Sequence, residues 1–104
     1  MAATNLKLEV RDAGKSIRVI DIEGEITSAS EAEITRAHDE ASDSDPVAVV
    51  LNFTGLDYMN SGGIGLLVTT LIRAQRSGHK LLAYGLTEHY REIFSLTRLD
   101  EAIG

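Results

Sequence analysis

The sequence predicts an α/β fold: a mostly parallel sheet that opens with an antiparallel hairpin and continues through right-handed βα crossovers. Three observations lead there. The first strand-like run alternates apolar with polar residues, as a strand with one wet face does. A later run, Val47-Ala48-Val49-Val50-Leu51, is apolar without alternation, which marks a strand covered on both faces. Stretches with helical apolar spacing follow each strand from the second onward, giving the order β-β-α-β-α-β-α-β.

Leu6, Leu8 and Val10 alternate with Lys7, Glu9 and Arg11 and form the first strand. Asp12-Ala13-Gly14-Lys15 is a turn, and residues 17–22 return as the second strand with Ile17, Val19 and Ile22 inward. Gly24-Glu25-Ile26-Thr27 closes that strand. Ser28 or Ser30 then caps a helix whose Ile34, Ala37 and Ala41 face inward, with Glu31 and Glu33 suited to the positive end of its dipole. This face is mostly alanine and predicts close packing on the sheet. Residues 42–45 are a polar loop, and Pro46 stops the helix from continuing.

The central strand covers residues 47–51 and finishes with Asn52, Phe53 and Thr54, and residues 55–60 are expected to form a connecting loop. From Ser61 onward, Ile64, Leu67, Val68, Leu71 and Ile72 fall on one helical stripe, with Thr69, Thr70, Arg73 and Arg76 elsewhere on the wheel. Gly78 takes the left-handed position after that helix. Residues 80–84 form a fourth strand. Thr87 caps a third helix with Tyr90, Ile93 and Phe94, and a short strand is expected around Ala102 and Ile103.

At 104 residues, with 43% apolar and 25% charged side chains, the chain predicts one domain with a modest core, burying about two thirds of its unfolded surface. A net charge of −6 leaves no basic surplus for nucleic acid or an anionic membrane. Without cysteine there are no disulfides, no thiolate chemistry and no usual zinc cage. The first five residues lack the features of an export signal, and no apolar stretch has the length of a membrane span. The expected compartment is the cytoplasm.

Function is expected at Asp57-Tyr58-Met59-Asn60-Ser61-Gly62-Gly63-Ile64-Gly65, where a hydroxyl stands at the start of a helix among unpaired backbone N–H groups. Such a place suits a capping serine or a phosphate. Acyl-transfer catalysis would need a base beside Ser61 and a G-x-S-x-G turn, yet Met59 occupies the first glycine position. The histidines offer little to that chemistry: His38 and His89 are expected on helix surfaces, and His79 follows a helix-ending glycine. Gly62, Gly63 and Gly65 suggest a phosphate cradle, but no P-loop lysine follows them. No histidine or carboxylate spacing supports a metal site, and no cofactor is expected.

The same nine residues resemble the signature of STAS domains, in particular bacterial anti-sigma factor antagonists, where a D-S-S/T-G-L/I-G run opens a helix. The resemblance extends along the chain: a strand hairpin, the turn at Gly24-Glu25-Ile26, a strand ending in Asn52-Phe53-Thr54, and Leu96-Thr97-Arg98-Leu99-Asp100 after the last helix. It implies one STAS domain over residues 1–104 that stops about where the family's C-terminal helix would begin, as a truncated or a minimal version.

The resemblance also implies a regulator without enzymatic turnover. Ser61 would be phosphorylated by a partner serine kinase of the GHKL type that is itself the anti-sigma factor, and a PP2C-type phosphatase would reverse the modification. The kinase supplies base, nucleotide and magnesium. Partner contacts would fall on Thr27 and Ser28 and on Asp57, Tyr58, Met59, Asn60, Gly62 and Gly63. Met59 has two readings, partner contact or core. Three positions depart from the family pattern: Asn60 stands in place of Asp, Gly62 in place of a second hydroxyl, and Thr27 where Asp is frequent. Two other readings remain, an interaction module in which Ser61 is only a helix cap, and a small-ligand or nucleotide sensor built on the glycine loop.

Overall fold

The computed structural model describes residues 6–14 and 16–96. Strand β1 (Leu6–Asp12) pairs antiparallel with β2 (Ile17–Ile26), and the sheet continues in parallel through β3 (Ala48–Met59) to β4 (Lys80–Tyr84). A single 3-10 turn (Ser28–Ser30) leads from β2 into helix α1 (Glu31–Ser42). Helix α2 (Ser61–Ser77) joins β3 to β4, and α3 (Glu88–Leu96) follows β4. The mixed sheet with its hairpin is the one the alternation pattern predicts. The expected strand around Ala102 and Ile103, the segment after Leu96, and the side chains of Ile93 and Phe94 lie outside the described residues.

One face of the sheet is the core. Leu6, Leu8 and Val10 sit opposite Gly24, Ile22 and Ile20, so the inward residues of β1 and β2 share a face while Lys7, Glu9 and Arg11 stay exposed. Leu8, Ile20, Ile22 and Leu51 meet Ile34 and Ala37 of α1 and Leu67 and Thr70 of α2. Val49, Phe53 and Leu81 complete this layer. Each large side chain fully buried there, such as Phe53 or Ile22, contributes about 1.5–3 kcal/mol.

The opposite side of the sheet carries a polar ladder. Arg11 Nε donates to Asp21 Oδ2 at 2.7 Å, Asn52 Nδ2 donates to Asp21 Oδ1 at 2.8 Å, and Asn52 Oδ1 accepts from the Thr54 N–H at 3.0 Å. The hydrogen bonds from Arg11 and Asn52 hold the Asp21 carboxyl below its usual range. The ladder is solvent-exposed at the Arg11 end, so it specifies strand register more than it stabilises.

Several expectations are corrected. The second strand runs on to Ile26, and residues 55–59, expected as loop, belong to β3. Glu23, Gly24, Glu25 and Ile26 pair with Gly55, Leu56, Tyr58 and Met59 through two register shifts, which carry the ladder past residues that read as breakers. Neither Ser28 nor Ser30 caps the first helix through its side chain. Thr27 Oγ1 instead accepts from the Ala29 N–H (3.2 Å), and Ser30 Oγ accepts from the Thr27 N–H (3.0 Å), a reciprocal box around the 3-10 turn.

The buried stripe of α2 is Gly63, Leu67, Thr70, Leu71 and Ala74, leaving Val68 and Ile72 exposed. The helix carries apolar residues on more than one side, and Thr70 can turn inward because its hydroxyl donates to the Leu66 carbonyl at 2.8 Å. His38 is buried in α1, contrary to the helix-surface position expected, and His79, which follows the helix-ending Gly78, is buried as well. Among the described residues no helix is long and apolar enough to cross a membrane.

Candidate functional site

The site forms where the parallel strands β2 and β3 end together and α2 begins, the end of an α/β sheet at which such folds place their ligands. Asn60 makes the turn. Its backbone remains extended (φ −96°, ψ −178°), its N–H donates to the Ile26 carbonyl at 3.2 Å, and its side-chain Oδ1 accepts from the Gly63 N–H at 2.9 Å. The Asn60 carbonyl takes the first helical bond, from Ile64 at 3.0 Å. Asn60 is therefore the N-cap, and Ser61, for which capping was one of two readings, is the first helical residue.

The cap assignment separates two substitutions. Asn60→Ala is expected to cost about 1 kcal/mol of unfolding free energy in urea titrations, and Ser61→Ala less than about 0.5 kcal/mol. Equal losses would return the capping role to Ser61. Ser61 is exposed, and no hydrogen bond from its hydroxyl occurs among the described residues. The hydroxyl is thus presented outward at the positive end of the helix dipole.

Two of the three glycines are explained by close approach. A Cβ on Gly63 would stand 2.4 Å from the Ile26 carbonyl oxygen, and one on Gly62 would stand 2.9 Å from Ser28 Cβ. The helix start is pressed against the corner where β2 turns into Thr27 and Ser28, so the glycines serve packing at this point. Gly65 faces open space. Thr27, Ser28, Asn60, Ser61 and Gly62 are gathered in this way, while Gly63 is buried beneath them.

Asp57 and Tyr58 are exposed on the last residues of β3, with Tyr58, 49% exposed, paired alongside Glu25. Met59 is 3% exposed and belongs to the core cluster, which selects the core reading of its two. Its backbone N–H donates to Tyr90 Oη at 2.8 Å, tying α3 to the end of β3. Sequence reasoning placed Tyr90 on its helix without this role; the available signal was a tyrosine on an apolar face, whose buried hydroxyl needs a partner. Tyr90→Phe leaves the Met59 N–H without its partner and is expected to cost about 1–3 kcal/mol by denaturant unfolding. An unchanged midpoint would show that water replaces the hydroxyl.

Acyl transfer at Ser61 finds no support in this arrangement. Its hydroxyl has no base as hydrogen-bond partner among the described residues, and His38 and His79 are buried against each other.

Known proteins share the fold on which this site is built. Over 99 residues the chain is 21% identical to the anti-sigma-B factor antagonist of Listeria monocytogenes, covering 95% of this chain and 87% of that protein. An anti-sigma factor antagonist from Mycobacterium paratuberculosis superposes with a TM-score of 0.73 at 22% identity, over 98% of this chain and 86% of the other. The Bacillus cell fate determinant SpoIIAA in its phosphorylated form gives a TM-score of 0.72 at 17% identity, over 94% and 89%. At these identities the two structures establish a shared fold. The family model of the STAS domain matches residues 9–104, nearly the whole sequence, and the chain therefore belongs to the STAS domain family.

Proposed function

We propose that the protein is an anti-sigma factor antagonist whose partner choice is switched at Ser61. In this reading the unmodified domain binds a serine-kinase anti-sigma factor of the GHKL type and thereby frees a sigma factor. Phosphorylation of Ser61 ends the complex, and a PP2C-type phosphatase restores it. The reaction would take place in the cytoplasm, with all catalytic groups supplied by the kinase and phosphatase. The observation that carries the proposal is the exposed Ser61 hydroxyl at the first position of α2, left free of the capping task by Asn60.

The physical consequences of modification support a switch at the interface. A phosphate adds about −1.5 to −2 charges at neutral pH, which the first turn of a helix accepts. The same charge is repelled by an acidic partner surface and costs desolvation against an apolar one. Thr27, Ser28, Asp57, Tyr58, Asn60 and Gly62 are accessible around Ser61 and would form the contact, with Met59 and Gly63 supporting it from below. A neighbour in fold is known in a phosphorylated form, which is consistent with this reading.

The test is to incubate the protein with its candidate kinase and ATP, map the product by mass spectrometry, and measure complex formation before and after. Modification confined to Ser61 together with loss of the complex is expected. Modification at another residue, or full retention of the complex after Ser61 is phosphorylated, would overturn the proposal.

A further inference from the structure

Two titratable groups in the core have no part in that switch. His38, on the inner side of α1, is 2% exposed, and His79, the second residue after α2, is 6% exposed. Their Nε2 atoms are 3.1 Å apart. Both rings are held in place from behind. His38 shares its wall of the core with Ile34, Ala37, Leu67 and Thr70. His79 follows Gly78, which has φ +81°, and its N–H returns to the Ala74 carbonyl at 3.2 Å to close the helix. The next residue, Lys80, donates its N–H to the Val47 carbonyl at 2.9 Å.

An Nε2–Nε2 contact of this length needs one donor and one acceptor. In the neutral pair one ring carries its proton on Nε2 and the other on Nδ1. One added proton still leaves a donor facing an acceptor. A second turns both Nε2 atoms into donors and sets two positive charges against each other in an apolar layer, which this contact cannot accommodate.

The charged groups facing the pair come from three elements. Asp39 of α1 favours a charged His38, while Arg73 of α2 opposes it and lies 4.0 Å from Asp39. Asp45, in the loop before β3, favours a charged His79. Burial outweighs these charges and holds both rings below the ordinary histidine range.

We propose that His38 and His79 form an acid-released clasp between α1 and the end of α2, closed while the pair holds at most one extra proton and opened by the second. The sign follows from burial. The unfolded chain binds protons more readily than the folded pair, so the clasp's contribution is complete above the unfolded histidine value and is lost as pH falls through the folded one. The 3-10 turn that leads into α1 carries Ser28, which lies against Gly62, so opening the clasp loosens the frame behind Ser61.

The test compares the wild-type chain with a His38→Leu/His79→Met double variant between about pH 7.5 and about pH 5, with a chelator present to exclude bound metal. Wild-type unfolding in urea is expected to take up about one proton or more over this interval, and the variant distinctly fewer. Hydrogen exchange of α1 amides should lose protection about tenfold relative to β2 and β3 on acidification. NMR titration of the two imidazoles in the wild type reads the clasp even if the variant does not fold, and a coupled two-step titration with a depressed second step is expected. Independent titration of both rings at the ordinary histidine value, or α1 protection that does not change with pH, would overturn the proposal.

Discussion

Gly63→Ala is expected to remove about 3 kcal/mol of stability, the largest loss from a single methyl group at this site. The added carbon would lie 2.4 Å from the Ile26 carbonyl oxygen, well inside contact distance, and that oxygen belongs to backbone that also accepts from the Asn60 N–H. Neither side can yield alone. If α2 retreats, the Asn60 bond to β2 lengthens; if β2 retreats, its pairing of Ile26 with Met59 opens. Alanine's better helix propensity returns up to about 1 kcal/mol, which is already included in the net figure. For a domain of this size the change corresponds to a fall in Tm of roughly 12–24 °C, measured by calorimetry. A shift below about 5 °C would mean that α2 can slide along β2 without cost.

Ser61→Asp is expected to act in the opposite manner, leaving the fold almost untouched and weakening the proposed complex with the anti-sigma factor about 100-fold. The side chain is exposed at the first helical position, where a negative charge contributes about 0.3–1 kcal/mol of favourable interaction with the dipole. Unfolding free energy should therefore stay within about 0.5 kcal/mol of wild type. The loss arises in the complex, where the carboxylate meets the partner surface. Titration calorimetry against the kinase, paired with urea unfolding of the free domain, separates the two quantities. An affinity within about threefold of wild type would show that charge at this position does not govern the contact.

Much of the fold was legible because burial imposes simple periods. Leu6, Leu8 and Val10 showed a strand with one wet face, whereas residues 47–51, expected to be covered on both sides, are fully covered on one: Val49 and Leu51 face the helices, Val50 on the other side is only partly buried, and Val47 is exposed ahead of β3. The end of α2 was equally readable, since a left-handed residue after a helix favours glycine and Gly78 occupies that place. The position of Ser61 at a strand-to-helix junction was legible in the same way, from the glycines beside it and the apolar runs on either side.

The misses have physical causes of two kinds. Gly55 and Asp57 read as breakers, but whether a strand continues depends on its partner, and β2 offers a bulged edge that pairs with β3 as far as Met59. A Cβ at Gly55 would lie 2.8 Å from Glu23 Cγ, so this glycine serves the tight pairing that its presence seemed to forbid. The second kind concerns polar residues on buried stripes. His38 is four residues beyond Ile34 and adjacent to Ala37, so helical spacing alone placed it inward; only the chemistry of its side chain suggested the surface. Its partner, His79, lies in another element, and no local pattern could join them. The cap was misplaced by one residue because asparagine and serine are both good caps, and the choice depends on which of them leaves the strand.

The spatial order of the sheet, β1-β2-β3-β4, is also the order of synthesis. Among the described residues no strand has to wait for a distant one before finding its neighbour, and none must be inserted between two that have already paired. Loop-closure entropy is therefore met in small increments: a hairpin first, then two crossovers of one helix each. A chain leaving the ribosome can complete each ladder as the next segment emerges, each new strand adding at the edge left by the one before it. The Ser61 site needs β2, β3 and the start of α2, so its frame can be assembled before β4 and α3 have been made.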